Sequence, residues 1–116
     1  MFAGRPFPLT NCSIANQTSD SVHIECVEGF DGGLPQTFLM ELSFIEDPSK
    51  VLRNVTTSRA PPFFESYGLD PGRTYRASLF AVNAKGRSDP FVIEQVAFNG
   101  VAKYTGEQAQ FNIQLN

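Results

Sequence analysis

Few side chains in this 116-residue sequence are of kinds that do chemistry, and their spacing decides which chemistry is open to them. There are two cysteines, Cys12 and Cys26, and one histidine, His23. A zinc site takes three or four Cys and His ligands. All three residues would be needed, and pairing of the cysteines with each other removes two of them. A nucleophilic triad needs a histidine buried beside a Ser or Cys. His23 alternates with Val22 and Ile24, which puts it on the polar face of its segment. Asp31-Gly32-Gly33 lacks the alternating carboxylates of a calcium loop. Gly29-x-x-Gly32-Gly33 lacks the Lys and the following helix of a phosphate loop. Acidic neighbours such as Glu46 and Asp47 fit a solvated turn better than an acid/base pair. The loops carry no Arg-Gly-Asp triplet. No catalytic group, cofactor or metal is expected.

The chemistry that remains is covalent linkage. The midpoint between Cys12 and Cys26 is residue 19, inside the polar stretch from Asn16 to Asp20. An antiparallel hairpin folded there sets the two cysteines directly opposite, at a Cα separation suited to a disulfide. Closing a loop of about 15 residues would contribute roughly 3 kcal/mol in the chain-entropy model. The alternative is two buried free thiols, as in an intracellular domain. Three Asn-x-Ser/Thr triplets begin at Asn11, Asn16 and Asn54, against about one that the composition gives by chance. If Cys12 points inward, Asn11 points outward; Asn16 is expected in a turn, and Asn54 on a polar edge strand. All three are candidate glycosylation sites, which must be accessible. Cys12, in the middle of the Asn11 triplet, would compete by forming its disulfide early.

Residues 3.6 apart do not recur as an apolar stripe in any long window. Short runs of period two do, broken by Gly, Pro, Asn and Asp. The first covers residues 9–15. The second is 21–27, with Val22, Ile24 and Cys26 on one face and His23 and Glu25 on the other. The third is 36–45, with Phe38, Met40, Leu42 and Phe44 inward. A short polar run at 51–57 and an aromatic one at 63–67 follow. In the sixth, Tyr75, Ala77, Leu79 and Ala81 alternate with Arg76, Ser78, Phe80 and Val82. Residues 83–88 form a loop, and 91–98 a last strand. The expectation is an all-β, seven-stranded antiparallel sandwich.

Several of these segments resemble the fibronectin type III family. Leu69-x-Pro71-x-x-x-Tyr75 looks like its tyrosine corner, Asn83-x-x-Gly86-x-Ser88 its F–G turn, and Val22-x-Ile24-x-Cys26 followed by Asp31-Gly32-Gly33-x-Pro35 its strand B and B–C loop. The resemblance covers residues 8–99. It implies a linker over 1–7 and a linker or stalk over 100–116. The family usually places Trp where Cys26 stands; this chain has no Trp, and its eleven Phe could supply the missing core volume. The stretch around Val27-Glu28-Gly29-Phe30, with the two cysteines, resembles the membrane-proximal fibronectin domain of Sidestep-like insect immunoglobulin-superfamily receptors. Adhesion receptors such as nephrin share parts of the pattern. The resemblance implies an extracellular spacer or interaction module in cell adhesion or axon guidance, with immunoglobulin domains as neighbours.

Charge and composition fit that expectation. The net charge of -3 and scattered Lys and Arg argue against nucleic-acid binding. No apolar run reaches the roughly 20 residues of a membrane helix, and residues 1–6 carry no apolar signal core. Any export signal and single-pass anchor are expected outside this segment. The alternatives are an intracellular structural fibronectin domain and a cytokine-receptor-type ligand module; the latter family's Trp-rich motif has no counterpart here. One outward cluster is expected. If Phe38 and Tyr75 face inward, antiparallel pairing of their strands brings outward Leu39 beside Phe80 and Val82, a possible contact surface for a neighbouring domain or a second receptor chain.

Overall fold

The computed structural model describes residues 3–97, with Gln95 and Ala97 described by their backbone alone. Eight strands are formed: β1 Thr10–Gln17, β2 Val22–Val27, β3 Thr37–Phe44, β4 Arg53–Thr57, β5 Phe63–Ser66, β6 Thr74–Asn83, β7 Gly86–Arg87 and β8 Phe91–Ala97. They make a three-stranded sheet in the order β1-β2-β5 and a five-stranded sheet in the order β4-β3-β6-β7, with β8 also paired to β6. Every pairing is antiparallel.

The period-two pattern is what builds the core. In β6, Tyr75, Ala77, Leu79, Ala81 and Asn83 are buried, while the residues between them are half-buried. In β2, Val22, Ile24 and Cys26 point inward. The two inner faces meet at Leu9, Ile24, Met40, Leu42, Phe64, Leu79 and Val96, each at most 1% exposed. Burial on this scale stabilises by about 1.5–3 kcal/mol for each large apolar side chain. Two phenylalanines, Phe38 and Phe64, belong to this core; Phe7 and Phe30 are exposed, and Phe44 and Phe91 pack at its margin. Aliphatic side chains and the sulfurs of Cys12 and Cys26 therefore supply much of the volume that Trp would take.

Two boundaries differ from the alternation's prediction. First, β1 runs through Gln17, so Asn16 is a strand residue and not a turn residue. Its register with β2 shifts between Thr10 and Ser13 and again between Ile14 and Asn16. These irregularities absorb extra residues, as bulges do, and carry the strand further along. The turn is tightened to residues 18–21 by the Thr18 N–H donating to the Ser21 carbonyl at 3.1 Å. Second, the returning edge is split, which makes eight strands from the expected seven. Gly86 at φ 133° lets β7 fold back on Asn83. Ser88 then anchors to Ala81, with its N–H on the Ala81 carbonyl at 2.8 Å and its Oγ accepting from the Ala81 N–H at 2.9 Å. Pro90 has no N–H for the ladder, and pairing resumes at Phe91 opposite Leu79.

Within the stretch expected as a linker, residues from Gly4 onward are hydrogen-bonded to the rest of the chain. Gly4 N–H donates to Gly32 O at 2.9 Å and Phe7 N–H to Phe30 O at 2.8 Å. The amide of Asn83 donates to Gly4 O and Asp31 O, and Arg5 to Arg87 O. Gly32 is at φ 76°, and a Cβ there would lie 2.3 Å from Gly4 O, so glycine is required on both counts. The expected stalk over residues 100–116, with Phe98, lies outside the described residues.

Candidate interaction surfaces

The β1–β2 hairpin places Cys12 and Cys26 at a Cα separation of 4.0 Å, and they form a disulfide. Both are buried, on the inner face of the three-stranded sheet. Asn11 sits at a positive φ of 51° within the first irregularity of β1 and is exposed. That conformation is several-fold commoner for Asn than for most residues.

At the other end of the fold, the Asp70 N–H donates to the Tyr75 hydroxyl at 2.8 Å. Leu69 is buried and its N–H reaches the Asp20 carbonyl at 2.8 Å, which ties this corner to the β1–β2 turn. Pro71 is exposed, so it contributes its restricted backbone and not packing. Next to the corner, the Arg73 guanidinium lies 3.6 Å from the Phe44 ring centroid and pairs with Glu46. The Glu46 carboxyl is held below its usual range by a backbone hydrogen bond and by Arg73.

On the five-stranded sheet, Leu39 is the Cα partner of Phe80 and of Thr56, and Thr37 is the partner of Val82. Leu39 is 8% exposed although it stands apart from the core cluster. Phe80 and Val82 are half-buried. The reason is local cover: the Arg87 guanidinium sits 5.0 Å from the Phe80 ring and binds Glu41 at 3.0 Å. The face is thus a small apolar centre under an Arg–Glu pair, bordered by an open depression of about 620 Å³ lined by Thr37, Thr56, Thr57 and Ser58. Asn54 is exposed on edge strand β4, opposite Glu41. Directly opposed residues share a face, so Asn54 borders this surface.

The three-stranded sheet has an outer face that alternation alone does not reveal. His23, expected as an exposed polar residue, has a side chain only 19% exposed. Its Nε2 lies 3.2 Å from the Tyr67 hydroxyl and 4.0 Å from Glu65. Its ring meets both Phe63 and Tyr67 at 5.6 Å in edge-to-face geometry. The long-range pairing of β2 with β5 makes this cluster, with His23 opposite Glu65. Period two in residues 63–67 does put Phe63 and Tyr67 on one side, the signal that could have found it. Among the described residues, no group of three His, Cys, Asp or Glu is placed to hold a metal.

No family model matches the chain. It is 37% identical over 84 residues to mouse nephrin; the match covers 72% of this chain and 7% of nephrin's length. Among solved structures it resembles domains d3–d4 of the rat CD45 extracellular region, with a TM-score of 0.69, 16% identity, and coverage of 80% of this chain and 50% of that one. It also resembles the fn3 domain of human collagen alpha-1(XX), with a TM-score of 0.62, 22% identity, and coverage of 84% of this chain and 90% of that one. Two antiparallel sheets, a tyrosine corner and these neighbours together identify the fold as that of a fibronectin type III domain, in a chain similar in sequence to a segment of nephrin.

Proposed function

We propose that this chain is an extracellular, non-catalytic module of a cell-surface receptor, acting as a spacer and protein-contact domain. The observation that carries the reading is the Cys12–Cys26 disulfide. Such bonds persist in oxidising compartments and are rare in the cytosol. The likeness to nephrin supports it, as does that to the CD45 extracellular region. The finer reading is an adhesion or axon-guidance receptor of the Sidestep-like kind, anchored by a single span outside this segment, with immunoglobulin domains as neighbours. It rests on the resemblance around residues 27–36.

Within this reading the Leu39, Phe80 and Val82 face is the contact surface for a neighbouring domain or a second receptor chain. A polar rim around a small apolar centre suits a modest, reversible interface. Asn11, Asn16 and Asn54 are the carbohydrate acceptors, and a glycan on Asn54 would border the contact surface and limit its approach. The test is secretion of the chain from a glycosylating cell, followed by non-reducing electrophoresis and mass analysis with and without glycosidase. A closed disulfide and at least one occupied triplet are expected. Two free thiols and no sugar would overturn the reading in favour of an intracellular structural domain.

A further inference from the structure

The outer face of the three-stranded sheet bears a ledge of three rings, with His23 between Phe63 and Tyr67. Tyr67 is 57% exposed. The Arg59 guanidinium lies over the Phe63 ring, 4.8 Å from its centroid. On the opposite side of His23 stands Asn16, its Cα partner on β1. Directly opposed residues share a face, so Asn16 emerges on the same side of the sheet as the rings. With strands about 4.8 Å apart, Asn16 lies one strand spacing from His23 and about 10 Å from β5. Asn16 is exposed, and its Oδ1 accepts the Gln17 N–H at 2.8 Å. That bond holds the amide by its oxygen and turns Nδ2, the atom that takes sugar, away from this contact.

We propose that Asn16 is N-glycosylated and that the first sugars of its glycan lie over the Phe63–His23–Tyr67 ledge. The inference rests on the extracellular reading above. The donor class is a polyprenyl-pyrophosphate oligosaccharide. Asn16 Nδ2 attacks its anomeric carbon, a C–N bond forms, and the bond from that carbon to the phosphate oxygen breaks. The polyprenyl pyrophosphate departs with the electron pair, and the amide proton passes to a base. Two N-acetylhexosamines span about the distance from Asn16 to β5. Each presents a face of C–H groups to an aromatic ring and hydroxyls at its edge. The ledge supplies the exposed ring of Tyr67 together with polar edges at Tyr67, His23 and Glu65. Because the glycan is tethered one strand away, its effective concentration at the ledge is high, and it occupies this face ahead of any free partner.

The full chain, secreted from a glycosylating cell, provides the test. Glycopeptide mass spectrometry reads occupancy at Asn16 and Asn54 separately, and NMR reads contacts between sugar protons and the Tyr67 or Phe63 ring. Occupied Asn16 is expected, with sugar signals shifted by the rings. In the Tyr67→Ser variant, which alters an exposed side chain, that shift should shrink. Removing the glycan, or Asn16→Gln, should increase cleavage or chemical labelling at Tyr67. Occupancy without ring contacts would overturn the inference. An empty Asn16 beside an occupied Asn54 and a closed disulfide would also overturn it and leave the receptor reading standing. Free thiols with no sugar anywhere would overturn that reading itself.

Discussion

Replacing Tyr75 by Phe removes one oxygen from the corner and nothing else. The ring is 4% exposed and packs against Phe44 at a centroid distance of 5.2 Å. Both features survive in Phe, so no cavity is made. What is lost is the acceptor for the Asp70 N–H at 2.8 Å. A hydrogen bond of this kind contributes about 0.5–1.5 kcal/mol net, and a donor left buried costs about 1–3 kcal/mol. Asp70 is itself exposed, so water can partly reach its N–H. The expected loss is therefore about 1–2 kcal/mol, which for a domain of this size lowers Tm by roughly 5–15 °C. Urea denaturation followed by circular dichroism measures it, with the slope m unchanged because the same surface is exposed on unfolding. Tyr75→Ala is the control and should cost about 3–5 kcal/mol, since it also removes the ring. A Tyr75→Phe midpoint equal to the parent's would refute the assignment of the hydroxyl as the corner's anchor.

Three further outcomes follow from the same geometry. Cys12→Ala with Cys26→Ala opens a crosslink of 14 residues' separation and should cost about 2–4 kcal/mol by equilibrium unfolding. Leu39→Ser with Phe80→Ser strips the centre of the outer face but leaves the inter-sheet core, so it should lower stability by about 1–3 kcal/mol; a loss above about 5 kcal/mol would place these side chains in the core. Because the folded-state pKa of Glu46 is lowered, its contribution is present above the unfolded-state pKa and is lost as pH falls through the folded value; unfolding midpoints measured down an acid series should show a smaller drop for Glu46→Gln than for the parent.

The two sheets offer outer faces of different character. On the five-stranded sheet, an ion pair already covers Phe80, and a second chain would have to displace or use the Arg87–Glu41 pair. The Arg87 side chain is about half exposed while that of Glu41 is largely covered, so a partner would reach the arginine first. On the three-stranded sheet, the rings of His23, Phe63 and Tyr67 are held together by each other. The Asn-x-Ser/Thr triplets at Asn54 and Asn16 stand one beside each surface, so under the proposed reading glycan occupancy at each would decide which face is left open to protein.

What the residues settle by themselves is local. Alternation in β2, β3 and β6 fixes which side chains face inward, because the pleat repeats every two residues whatever the partner strand. The Cys12–Cys26 pair was legible because both lie in one short hairpin between sequence neighbours; the irregularity between Ile14 and Asn16 moves the register set at Gln17 and Val22 by one residue and so brings the two cysteines together. Leu69 and Tyr75 were legible because the corner spans only a few residues. Tertiary structure decided what meets across long separations. His23 is covered by rings some 40 residues away and Leu39 is paired with Phe80 and Thr56, while Gly4 and Phe7 are hydrogen-bonded to Gly32, Phe30 and Asn83. A period-two pattern says that a residue points outward; only the order of strands in the sheet says which neighbours then stand beside it, and those neighbours separate an exposed polar histidine from the centre of an aromatic ledge.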